Sequence, residues 1–202
     1  FPIFLKLHGR PCLVIGATAA AAEKAGDLLR AGAQVTLAAP ALGAECAALL
    51  ERHPDTVHHH AAGYRPGLEQ GMALVISASG DPETDRAAHA ACSERGITVN
   101  VVDNPQLCTY ITPAVVDRSP LQVAITSGGA APVLARQIRS QVETLLPPAY
   151  RRLAALAGRL RERVKAALPS PERRLRFWEQ VFEGPAAESV LAGRERQGEA
   201  EI

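Results

Sequence analysis

The sequence predicts an α/β protein whose first half is a parallel, doubly wound sheet and whose final part is helical. Three observations carry this. Apolar runs alternate with helical stretches from Cys12 to Val102, the pattern of β-α-β units. The runs at residues 12–15 and 74–78 are almost continuously apolar, as strands covered on both faces must be. Beyond Pro147-Pro148, apolar residues recur every three or four positions.

Taken in order, residues 1–7 alternate weakly and read as a short strand. Gly9-Arg10-Pro11 turns the chain into the strand at 12–15, which Gly16 follows directly. Residues 19–31 are alanine-rich and suit a helix. Gly32 ends it, and residues 34–38 form the next strand. This is a β-α-β unit of the length expected for half a Rossmann domain. A helix at 41–52 and a strand at 57–60 follow. Then come a strand at 74–78, a helix from Pro82 to Arg95 stopped by Gly96, and a strand at 98–102.

The first turn reads Gly16-Ala17-Thr18-Ala19-Ala20-Ala21. A dinucleotide site wants a second glycine where Thr18 stands, and an acid after the second strand where Ala38-Ala39-Pro40 stands. Two readings remain open: a cofactor turn acting through the helix N-terminus, and a purely structural β-α-β unit. His58, His59 and His60 suggest metal, but a strand puts His59 on the opposite face from the other two. His8, His53 and His89 read as surface residues.

Asp103 ends the fifth strand, and Asn104-Pro105 forces a turn after it. Ligands of open α/β sheets bind beyond the carboxyl ends of strands, so Asp103 is either a chemical group or a turn cap. Residues 114–117 and 121–126 read as a hairpin around Arg118-Ser119-Pro120. Ser127-Gly128-Gly129 then turns into a helix opened by Pro132. Ser127, Gly128, Arg136 and Arg139 form a candidate carboxylate or phosphate site, the two arginines sharing a helix face. The other reading has the arginines solvated or paired with Glu143. Residues 149–168 form an amphipathic helix with Leu153, Leu156, Leu160 and Val164 on one side. Phe177, Trp178 and Phe182 are an apolar anchor, residues 186–196 suggest a last short helix, and residues 194–201 read as a charged tail.

The chain has 202 residues and a formal net charge of +1, which implies no general attraction to nucleic acid or acidic membranes. No apolar run reaches spanning length. Cys12, Cys46, Cys92 and Cys108 form no C-x-x-C pair and read as reduced thiols of a cytoplasmic protein. No signal peptide is visible, and the start at Phe1 predicts a few preceding residues.

The motifs Pro2-Ile3-Phe4, Asn100 to Asp103, Asp117-Arg118-Ser119-Pro120, Ser127 to Arg139, Glu172-Arg173-Arg174 and Arg176-Phe177-Trp178-Glu179 together resemble the precorrin-2 dehydrogenase and sirohydrochlorin ferrochelatase module of sirohaem synthase. The resemblance implies a Rossmann-like NAD-binding domain over 1–112, a dimerisation segment over 113–146 and a helical C-terminal domain over 147–202. It implies a homodimer that oxidises precorrin-2 to sirohydrochlorin with NAD and inserts ferrous iron. Asp103 would be the catalytic acid/base. Family NAD contacts would fall on Ala19 and Ala20 at the first helix and on Pro40 and Ala41 after the second strand, with Gly16 and Thr18 of the turn as further cofactor-binding candidates. The family turn usually reads Gly-Gly-Gly-x-Val-Ala, and Ala-Thr-Asp often follows the fourth strand; here Thr18 and Gly80 depart from both. Those departures frame the alternatives of a chelatase without NAD use or a non-catalytic tetrapyrrole-binding protein.

Overall fold

A computed structural model describes residues 1–202, which divide into two compact units, Phe1–Ile111 and Thr112–Ile202. The first unit holds a five-stranded parallel sheet in the order β3-β2-β1-β4-β5. Its strands are β1 (Pro11–Ile15), β2 (Gln34–Ala38), β3 (Val57–His60), β4 (Leu74–Ser77) and β5 (Val99–Val101). Its helices are α1 (Ala19–Arg30), α2 (Ala44–Arg52) and α3 (Pro82–Arg95).

The unbroken apolar runs have a direct cause. Side chains alternate across a strand. Cys12 and Val14 of β1 pack with Ala21, Ala25 and Leu28 of α1 and Cys46 and Leu49 of α2. Leu13 and Ile15 pack on the other face with Ala88 and Cys92 of α3. Both faces are therefore dry, and the sheet is doubly wound as expected. The helix ends follow local chemistry. Asp81 accepts the N–H groups of Glu83 and Thr84 at the start of α3, and Gly96 closes that helix at φ 65°.

Three early expectations change. Residues 1–7 form no strand: they are mostly exposed and pair with nothing in the sheet, whose edge beyond β2 is taken by β3. The helix expected from 41 starts at Ala44, because Gly43 is its extended N-terminal cap. His89 is half-buried and bonds Leu107 O at 2.9 Å, so it is not a free surface residue.

Between β3 and β4, Glu69 is fully buried. It accepts from the Tyr64 hydroxyl at 3.0 Å and the Gly67 N–H at 2.9 Å, and Arg95 stands 3.4 Å away. Burial alone would raise its pKa. Bonds from its own and Gly67's N–H groups, the Tyr64 hydroxyl and the Arg95 charge outweigh that and hold the carboxyl below the usual range. A depressed folded pKa means the stabilisation is complete above the ordinary glutamate pKa and is lost as pH falls through the folded value. Glu69→Gln is expected to destabilise the protein by about 1–3 kcal/mol at neutral pH and to flatten the acid limb of its stability curve. Urea titrations from pH 7 down to pH 3 check this, and an unchanged acid limb counts against it.

The second unit begins with a hairpin of β6 (Ala114–Arg118) and β7 (Leu121–Ile125), against which α4 (Pro132–Leu145) packs. Then follow α5 (Tyr150–Ala167), α6 (Pro171–Glu183), α7 (Pro185–Leu191) and α8 (Glu195–Ala200). Leu153, Leu156, Leu160 and Val164 form its core with Ala187 and Val190, and Phe177 and Trp178 cover the cluster. Phe182 stacks on Trp178 at a ring separation of 5.4 Å but stays exposed. The expected single last helix is two, and the expected charged tail forms α8. Gly198 explains this: a Cβ there would sit 2.5 Å from Val190 Cγ2 and 2.7 Å from Ala186 O, so only glycine lets α8 settle on α7.

Candidate functional site

The strand order reverses between β1 and β4, and the loops leaving their carboxyl ends form the switch point of the sheet. Gly16 leaves β1 at φ 119°, and a Cβ on it would lie 2.3 Å from Ala78 O. Its lack of a side chain is a packing requirement before any ligand is considered. Ala17 O accepts the Gly43 N–H at 3.1 Å, which ties this loop to the one after β2.

Thr18 is the N-terminal cap of α1. Its Oγ1 accepts the Ala21 N–H at 3.4 Å, and its carbonyl accepts the Ala22 N–H at 3.0 Å. The first turn of a helix leaves donors without intrahelical partners, and this cap leaves those of Ala19 and Ala20. Ala19 is exposed. The Thr18 hydroxyl is thus engaged by the helix, while two amides and the positive end of the dipole remain for an anion. These residues fit a pyrophosphate. Pro40 and Ala41 lie exposed after β2 and offer an apolar surface with no acid. Behind them His59 Nε2 bonds Ala39 O at 2.8 Å, which is a structural use of one of the three histidines.

The departure after β4 builds its own network, which sequence reasoning missed. Ser77 and Ser79 both donate to Asp85 Oδ1, at 2.6 and 2.8 Å. Gly80 adopts φ 71° between them and the α3 cap. The Thr84 hydroxyl and N–H hold the Asp81 carboxyl below the usual carboxylate range. A Ser-x-Ser followed by an acid in the first helical turns was the available signal.

Asp103 lies two residues past β5 and is exposed. It is the one non-glycine residue with positive φ, at 60°. Val101 O accepts the Asn104 N–H at 3.2 Å, so Asp103 sits at the third position of a tight turn. Type II turns place glycine or asparagine there because other side chains meet the backbone. Asn100, marked in the sequence only as the start of a motif, and Cys108, read there only as a reduced thiol, bond this region: Asn100 Nδ2 donates to Tyr110 O at 3.1 Å, and the Cys108 thiol lies among the turn's amides and carbonyls.

In the second unit, Ser127 Oγ accepts the Ala131 N–H at 2.8 Å, and Gly128 turns the chain at φ 65°. Arg136 is exposed and forms no ion pair. Arg139 pairs with Glu143 at 2.8 Å. Arg118, otherwise nearly buried, reaches the other oxygen of Glu143 at 3.4 Å and donates to Leu146 O at 2.7 Å. The two arginines therefore differ: one is open, the other engaged on its own helix.

Comparison with known proteins adds three family matches in chain order. Residues 3–114 match a family described as "Putative NAD(P)-binding", residues 118–145 the sirohaem biosynthesis protein central region, and residues 149–202 the sirohaem synthase dimerisation region. Siroheme synthase 1 of Halorhodospira halophila is 64% identical over the whole chain, which covers 42% of that protein. Siroheme synthase 2 of the same organism is 68% identical over 98% of the chain and 40% of its own length. The siroheme synthase of Thioalkalivibrio sulfidiphilus is 47% identical over 96% of the chain and 40% of its own length. The chain thus spans about two fifths of the curated relatives it matches. A solved precorrin-2 dehydrogenase, SirC, shares the fold at a TM-score of 0.75 and 18% identity, covering 100% of this chain and 98% of its own.

Proposed function

The chain belongs to the NAD(P)-binding family matched by its first half, in the arrangement found in sirohaem synthases, and on that premise we propose that it oxidises precorrin-2 to sirohydrochlorin with NAD and inserts ferrous iron to give sirohaem. The observation that carries this reading is Asp103, an acid held where the backbone favours glycine. Strain of that kind persists where the side chain is needed.

Bound NAD supplies the hydride acceptor. The Ala19 and Ala20 amides would hold its pyrophosphate, with Gly16 allowing the close approach and Pro40 and Ala41 flanking the adenosine. Asp103 would take the proton that leaves precorrin-2 as the hydride departs. In the second reaction it would take pyrrole N–H protons, two of which leave as one ferrous ion enters. Ser127, Gly128, Arg136 and Arg139 are assigned to the tetrapyrrole's carboxylates, with Arg136 the readier of the two arginines because Arg139 must share Glu143. Because the Thr18 hydroxyl caps α1 and leaves the Ala19 and Ala20 amides free, it supports NAD use over the chelatase-only alternative.

A homodimer is part of the proposal: residues 149–202 match the sirohaem synthase dimerisation region, and the segment at 113–146 expected to dimerise would extend the same interface. Val115 on β6 and Val133, Leu134 and Ile138 on α4 are exposed apolar side chains that a partner subunit would cover. The four unpaired thiols suit a reducing, cytoplasmic setting, and no helix is long and apolar enough to cross a membrane.

Anaerobic absorbance of the protein with precorrin-2, with and without NAD, tests the reading. Conversion to the sirohydrochlorin spectrum only with NAD is expected, followed by the sirohaem spectrum on adding ferrous ion. No conversion with NAD, but metal insertion into supplied sirohydrochlorin, would move the assignment to a chelatase.

A further inference from the structure

We propose that Cys108 is a positioning residue whose thiol holds the turn carrying Asp103 in its left-handed conformation. The inference rests on the acid/base reading of Asp103 and deepens it by naming what fixes that carboxylate in place.

β5 is an edge of the sheet, and an edge strand presents an unpaired row of N–H and C=O groups. Here no sixth strand covers it. After one 3₁₀ turn, Pro105–Leu107, the chain folds back and two residues satisfy that row. Thr109 donates its N–H to Val99 O at 2.8 Å, and its Oγ1 accepts the Val99 N–H at 2.8 Å. One step along, Cys108 Sγ lies 3.2 Å from both Val101 N and Val101 O, 3.3 Å from Asn104 O and 3.4 Å from Asn100 Nδ2.

A thiol has one weak donor and a sulfur that accepts. The sulfur accepts from Val101 N–H and the Asn100 amide, and the single S–H is shared between the carbonyls of Val101 and Asn104. All four contacts fall on residues that bracket Asp103: two residues before it and one after it. The turn is therefore held at both its first and last positions by one atom. Asn100 reinforces this, because its amide also reaches Tyr110 O beyond the cysteine. Aspartate enters the left-handed region more readily than most L-residues but at a cost that glycine does not meet, and contacts on both sides of the residue offset that cost. Thr109 offers an internal control, since its bonds serve the same edge but stop at Val99.

The test compares Cys108→Ala, Cys108→Ser and Thr109→Val in the purified full chain. Turnover and KM are read in the NAD-dependent oxidation of precorrin-2, and amide hydrogen exchange is read at residues 99–104. Cys108→Ala is expected to lower kcat about tenfold or more with an unchanged KM for NAD, and to speed exchange at Val101 and Asn104. Cys108→Ser, which keeps a donor and an acceptor, is expected to recover most of the lost turnover. Thr109→Val is expected to lose stability without losing kcat.

Wild-type kcat in a folded Cys108→Ala, or unchanged exchange at Val101 and Asn104, overturns the proposal. So does a fall in kcat that Cys108→Ser fails to reverse. If Cys108→Ala does not fold, Asn100→Ala removes one of the same contacts and carries the same expectation. The exchange result does not depend on the reaction. Full activity in Asp103→Asn would remove the acid/base reading, while exchange would still decide whether Cys108 holds the turn.

Discussion

Asp103→Asn is expected to lower the rates of precorrin-2 oxidation and of metal insertion by about a hundredfold or more, the range over which general acid–base groups act. Asparagine keeps the shape of the side chain and tolerates the left-handed region, so the turn at φ 60° survives. What it loses is the ability to accept a proton. Alanine is a poorer probe, because at this φ it adds about 1 kcal/mol of backbone strain to the lost chemistry. Asp103→Gly separates the two readings of this residue. If Asp103 were only a turn cap, glycine would serve as well and the protein would be intact and active. If the acid is kept for chemistry against the backbone's preference, the glycine variant should be more stable by several tenths of a kcal/mol and inactive, the trade expected of a strained functional site. Steady-state NADH absorbance and the sirohaem spectrum give the rates, and thermal unfolding gives the stability. Wild-type turnover of both reactions in Asp103→Asn would end the assignment.

The parallel sheet was legible because its cause is local and repeated: almost continuous apolar strands, capped helices and glycine stops. Asp103 was legible in position, through the strand before it and Asn104-Pro105 after it. Its conformation was not, because positive φ in an aspartate depends on what holds the turn, and that comes from Cys108 and Asn100 on either side. A cysteine in Leu107-Cys108-Thr109 belongs to no periodic pattern, so nothing local marks it. The pairing of Arg139 with Glu143 was legible as one of two readings, being a four-residue helical spacing; the claim of Arg118 on the same acid is a tertiary contact and was not. The last helix was hidden for the same reason. Residues 194–201 are charged enough to pass for a tail; tertiary contacts order them, among them the packing at Gly198, the Arg194 N–H to Ser189 O bond at 2.8 Å and the 3.7 Å pair of Arg159 with Glu199. Residues 1–7 erred in the opposite direction: alternation suggested a strand, but they pair with no strand of the sheet and lie mostly exposed.

Gly16→Ala is expected to be the most damaging single methyl group in the first unit. The added Cβ would stand 2.3 Å from Ala78 O and 2.8 Å from Ala78 C, both backbone atoms that cannot swing aside. The position also adopts φ 119°, which L-residues avoid. Backbone strain of about 1–3 kcal/mol and overpacking of a similar size act together. Relief requires the loop to move away from β4, which strains the bonds from Gly16 N–H to Ala38 O at 3.0 Å and from Ala78 N–H to Ile15 O at 2.8 Å. A loss of roughly 3 kcal/mol corresponds to a melting temperature about 6–12 °C lower for a chain of this size. Thr18→Gly should behave differently. Glycine replaces a cap at a loss of only about a few tenths of a kcal/mol, and the Ala19 and Ala20 amides keep their places, so NAD affinity should change little. Thermal unfolding and NAD titration of the two variants, side by side, separate the roles within one turn. Near-native stability in Gly16→Ala would contradict the packing account. A large gain in NAD affinity in Thr18→Gly would mean that the threonine, rather than capping a phosphate site, obstructs it.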